Sequence, residues 1–344
     1  MSWCASVALL GSSMSLALAT AGSATAPDSI PGTCAVTPGD SRFVFRSGFW
    51  LNLHNYLHRD AKARRGIHDE VPAALTVASE DTIGGRALTS RERLIWDATV
   101  QVYLSNPLAS GRADSVVSLL NERLAAAAEN GGLRDVDIDP AVRQALLDAA
   151  PVYRAVWWRV HDRRNQAWIA SLQGLLTRRE TCLARFLENA FAADWPRAPI
   201  VVDASVYASW FGAYMTQNPV HITLSSNARG NQGSLGVETL LHEAGHSLTG
   251  SLDSALAATA ARARRVLPRE LEHLVLFYSA GEAVRDQVRG HVPYAQVFRL
   301  WEQNATAQKY RALLESEWLP HLQGRRSFAE AIARLVERLP RRPM

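Results

Sequence analysis

The chain is short of cysteine, lysine, methionine and long apolar runs. Among 344 residues there are 3 Cys and 4 Met, and Lys62 and Lys309 are the only lysines. Three cysteines leave room for one disulfide. Cys34 and Cys182 are its candidates once an N-terminal leader carrying Cys4 is removed. With so little lysine, the formal charge of +4 rests almost wholly on arginine. Together with abundant alanine, this reads as the product of a GC-rich bacterial genome. The basic clusters KARR (62–65), RARR (262–265) and GRR (324–326) are scattered and have no interleaved aromatics. Nucleic acid is therefore not the expected partner. Beyond residue 30 no apolar run approaches the roughly 20 residues needed to cross a bilayer, so no membrane span is expected. No internal repeat or disordered run appears either, which leaves a globular chain with 47% apolar and 20% charged residues.

Acidic and basic residues are missing altogether from the first 27 residues, which are small and apolar and end in overlapping A-x-A sites around Ala17 to Ala26. Residues 1–26 read as a signal peptide, placing the mature protein in the periplasm or outside the cell.

What is present divides into two textures. Residues 27–195 form a helical N-terminal region, with apolar residues recurring at three and four and breaks at Gly84-Gly85, Asn106-Pro107, Gly131-Gly132 and Pro151. Strands take over at PIVVD (199–203) and HITLSS (221–226), and the aromatic stretch between them is a third strand or a loop. A helix starts near GVETLLHEAGHSL, and helices follow around 268–289, 295–316 and 327–339. The fold class expected is α+β and predominantly helical. A small β-sheet carries an active-site helix and a ligand-supplying helix over residues 196–344.

The stretch LLHEAGHSLTG (240–250) carries the chemistry. On a helix, residues four apart point the same way, so His242 and His246 present two imidazoles to one ion. Glu243 lies about 100° round the helix, off the metal but close to a water beside it. It is the expected general base. A catalytic Zn²⁺ needs a third protein ligand and an open position. Glu270, Glu272 and Glu282 are the downstream acids that qualify. A separate pair, His54 and His58, lacks an acid between its members and reads as part of a packed aromatic helix.

Over residues 200–290 this pattern resembles the thermolysin-like gluzincins, a group of zinc metallopeptidases. GEAVRD supplies the matching second element, with Glu282 and Asp286 four residues apart. The resemblance implies that His242, His246 and Glu282 hold the zinc and that Asp286 orients the first histidine. It also implies a His or Tyr donor for the oxyanion downstream of the third ligand, for which Tyr294 and His291 are favoured over His273 and Tyr278. HITLSS would be an edge strand that pairs with an extended peptide substrate. No glycine-rich aminopeptidase motif precedes the helix. The function expected is an exported zinc metallopeptidase. The alternatives are a non-catalytic zinc-binding or scaffold protein of the same fold, or a zinc hydrolase of non-peptide substrates.

Overall fold

The computed structural model describes residues 41–65, 85–106, 114–127, 132–208, 212–217, 220–302 and 305–341. Residues 1–26, read from the sequence as a signal peptide, and Cys34 lie outside these residues, as does the whole GIHDEVPAALTVASEDT stretch (66–82). Four short strands form one mixed sheet: β1 (Phe43–Arg46), β2 (Ile200–Ser205), β3 (Ala213–Gln217) and β4 (Val220–Ser225). Its order is β1-β2-β4-β3. The first three of these neighbours run parallel, with Phe43 opposite Ile200 and Val201 opposite His221, whereas β3 pairs antiparallel with β4. Two of the sequence expectations change here. HITLSS is an internal strand, because the β-branched runs of β2 and β4 pair with each other and β3 takes the outer position. FVFR, inside the region read as helical, is a fourth strand.

Helices cover both faces of the sheet. On one side Phe43, Ile200, Val202, Ala204, Ile222 and Leu224 join a core with α5 (Arg159–Leu176), α6 (Glu180–Phe191), α7 (Gly233–Gly245), α8 (Gly250–Arg262) and α9 (Leu271–Gln287). The same core takes in α11 (Ala305–Leu313) and α13 (Phe328–Glu337), with α10 (Tyr294–Val297) and α12 (Leu319–Leu322) as single turns between them. Alternation along the strands turns Asp203, His221 and Thr223 to the other side, where α1 (Phe49–Arg64) covers them. There α1, α2 (Ser90–Ser105), α3 (Asp114–Ala126) and α4 (Pro140–Tyr153) enclose a second core rich in aromatic residues. The expected break at Pro151 does not occur. The chain stays helical through it and one widened turn at Arg154–Trp158 follows.

Buried polar groups lock the two halves together. Asp203 is fully buried and accepts from Arg46 Nε at 2.8 Å, from the Gly48 backbone N–H at 3.1 Å and from His221 Nε2 at 2.7 Å. Asn52 of α1 donates to the Ala204 carbonyl at 3.0 Å and accepts from the Val206 N–H. A strand edge and a helix N-terminus are thereby fixed to the sheet that carries α7 on its opposite face.

Candidate metal centre

The helix that carries HEAGH starts at Gly233, whose φ of 56° lies in the left-handed region, and runs along the sheet against β3 and β4. Val237, Leu240, Leu241 and Ala244 are buried in the core. That orientation leaves His242 and His246 facing α9. Gly245 faces it too: a Cβ there would sit 2.4 Å from Leu276 Cδ1, so that side chain rests where a larger residue would make it shift.

The crossing brings in a third histidine. His273, in the first turn of α9, places its Nε2 3.0 Å from His242 Nε2. The His242 and His246 rings lie 4.9 Å apart, and His273 stands 4.8 Å from the first and 5.4 Å from the second. One ligating nitrogen from each of His242, His246 and His273 falls within 4.8 Å of the others, close enough to hold one metal ion. Tetrahedral ligands each about 2.0–2.1 Å from zinc are separated by about 3.3 Å, near the His242–His273 spacing. Burial, and in two of the three the neighbouring imidazoles, holds the ring pKa values down: His242 well below its usual value, His246 at about 4, and His273 lowered. Neutral rings keep their lone pairs, the state a metal requires. Among the described residues His242 Nδ1 is buried with no protein partner.

Glu243, which follows His242 in the chain, is half-buried and makes no side-chain hydrogen bond among the described residues. Burial pushes its pKa up to about 8.

The remaining expected site residues are not brought to this cluster. Glu282 stands nine residues beyond His273 on the same unbroken helix, about 180° round it, and pairs with Arg285. Asp286 is exposed and accepts from Gln287, so it orients neither histidine. His291 lies at the other end of α7. Its Nδ1 is 2.9 Å from Ser234 Oγ and its Nε2 2.8 Å from Glu238 Oε2. Tyr294 donates its backbone N–H to the same Glu238 oxygen at 2.8 Å, and its ring packs on Phe277. Tyr278 packs on Trp301. His54 bonds Tyr103 through Nδ1 in the second core, away from α7.

His273 was visible in the sequence, as a histidine 27 positions after His246. On one straight helix it and Glu282 exclude each other from a shared site. The GEAVRD spacing favours the glutamate, and only the rotation of α9 about its axis decides for the histidine. In comparisons with protein-family models, with curated proteins and with solved structures, nothing matches this chain.

Proposed function

We propose that the protein is a zinc-dependent hydrolase acting on peptide bonds, with a zincin-like arrangement of sheet, motif helix and crossing helix. The observation that carries this reading is the convergence of His242, His246 and His273, with Glu243 next to the first of them in the motif. A set of three neutral nitrogens suits zinc better than calcium or magnesium, which take oxygen ligands. Three protein ligands leave a position open, as a hydrolytic site requires and a closed structural site does not.

A bound zinc ion supplies Lewis acidity, acidifying water and polarising a carbonyl. The chain supplies the rest. The three histidines fix the ion against α7 and α9. Glu243, free of competing hydrogen bonds, takes the proton from the attacking water and passes it to the leaving amine. Phe277, whose ring lies 5.0 Å from that of His242, shields one side of the site from water.

Support for a peptide substrate comes from β3 rather than HITLSS. β3 is the last strand of the sheet and lies against α7, so its outer backbone groups stand beside the motif helix. An extended peptide can pair there, which a sugar or phosphate ester has no means to do. The test is metal analysis of the purified protein, then incubation of the zinc-loaded form with a mixed peptide library. Glu243→Gln should keep its zinc and lose at least about 10²-fold in kcat. Full activity in that variant, or failure to load any divalent metal, would overturn the reading. Stoichiometric zinc without hydrolysis of any peptide would instead mark a scaffold protein of the same fold.

A further inference from the structure

Next to the metal centre lies a cavity of about 210 Å³ that the hydrolytic residues do not use. Phe277 forms part of its wall and is also the ring packed on His242, so one side chain touches both. Tyr278 and Trp301 contribute two more aromatic surfaces, both largely buried. Three glutamates reach the cavity, and two of them already hold a cation. Glu282 is paired with Arg285, and Glu315 accepts from Arg311 Nε at 2.8 Å, with both guanidinium groups partly exposed at the rim.

The third glutamate, Glu238, differs. It is 2% exposed and lies one turn before His242 on the same face of α7. Its Oε2 is taken twice, by His291 Nε2 and by the Tyr294 N–H. Among the described residues its Oε1 has no hydrogen-bond partner and no lysine or arginine reaches the side chain; His291, on Oε2, is its one basic neighbour there. Glycine at position 281 keeps that oxygen uncovered: a Cβ there would sit 3.0 Å from Oε1 and 3.0 Å from Pro293 Cβ. A buried carboxylate with one oxygen open to a cavity is costly unless a cation completes it. Aromatic faces beside it are the surroundings that a desolvated cation prefers.

We infer that this cavity is a binding site for an alkylammonium or guanidinium group, held by Glu238 Oε1 and flanked by Phe277, Tyr278 and Trp301. Its position behind Phe277 makes it the subsite for a basic side chain of the substrate. That role rests on the hydrolase reading, whereas the binding itself does not.

The probes are n-butylguanidinium and its uncharged counterpart n-butylurea, titrated calorimetrically into the full chain with metal removed by chelation. Saturable binding of the guanidinium is expected, with n-butylurea at least tenfold weaker. In Glu238→Gln, whose amide oxygen still accepts from Tyr294 N–H, guanidinium affinity should fall at least tenfold. Gly281→Ala removes no charge but crowds Oε1, and should weaken binding in the same direction. Equal affinity for the two probes, or unchanged affinity in both folded variants, overturns the proposal. With zinc restored, cleavage should favour peptides bearing Arg or Lys next to the scissile bond, and Glu238→Gln should erase that preference. Hydrolysis indifferent to basic residues, in a protein that does bind n-butylguanidinium, overturns the substrate role. Absence of any hydrolysis counts against the zinc-hydrolase reading and leaves the metal-free titration to decide the cavity.

Discussion

Nine residues separate His273 from Glu282, a spacing that lets only one of them face α7, and it is His273 that lies with His242 and His246. His273→Ala should lower zinc affinity by more than the roughly 10- to 100-fold typical of losing a supporting residue, because it removes a ligand. Glu282→Ala should leave affinity within a fewfold of the parent. Competitive zinc titration of the two variants checks this, and the opposite ranking would restore the glutamate. The motif itself was legible: the i, i+4 rule places His242 and His246 together whatever the rest of the chain does. The approach of His273 to that pair was not, because it depends on how α9 crosses α7, through contacts between distant residues such as Leu276 and Gly245, 31 positions apart. Gly245→Ala tests that contact. Its Cβ would force Leu276 to move, at a cost of about 1–3 kcal/mol in urea unfolding.

At the level of elements, the strands show the same division between local and distant information. PIVVD and HITLSS were recognisable from β-branched runs bounded by turn residues. That β4 ends up between β2 and β3 was not, since strand order is fixed by pairing across the sheet and by β1, a four-residue segment too short to announce itself. Asp203 ties these pieces to α1. Removing its carboxylate would leave His221 and the Gly48 N–H without their partner, so Asp203→Ala should cost about 3–5 kcal/mol. Urea titration followed by tryptophan fluorescence measures the loss. α13 begins with a reciprocal cap, Ser327 accepting from the Glu330 N–H while Glu330 accepts from Ser327 N–H, and Ser327→Ala should cost about 1 kcal/mol.

Across the whole molecule, acid and metal act on different parts. His54 and His161 are buried in and beside the aromatic core, and desolvation lowers both to about 3. The unfolded chain therefore takes up protons near pH 6.5 while the folded chain does not. The contribution of these two histidines is complete above pH 6.5 and is lost as pH falls towards 3. At pH 5 each histidine accounts for about 2 kcal/mol. Urea midpoints recorded from pH 7 to 4.5 should show this slope, and it should become shallower in the His54→Gln, His161→Gln double variant, the remainder coming from the triad histidines. Metal works the other way. Zinc at a hundredfold excess over its Kd should stabilise the native chain by about 2.7 kcal/mol and raise Tm by several degrees, reversibly with chelator. Scanning fluorimetry of the parent and His273→Ala separates this from non-specific binding, since the variant should show little shift.

The pairing of β1 with β2 also constrains how the molecule comes to exist. Phe43 leaves the ribosome early, yet the residue it must face, Ile200, is synthesised more than 150 positions later. At the usual pace of about 5–20 residues per second, the Phe43 and Phe45 side chains wait many seconds without their sheet. Loop closure over that distance is slow, and no local contact can substitute for it. A nascent chain halted before Ser205 should consequently be captured by holdase chaperones, and the full-length chain, with the helices that cover the sheet, should escape them.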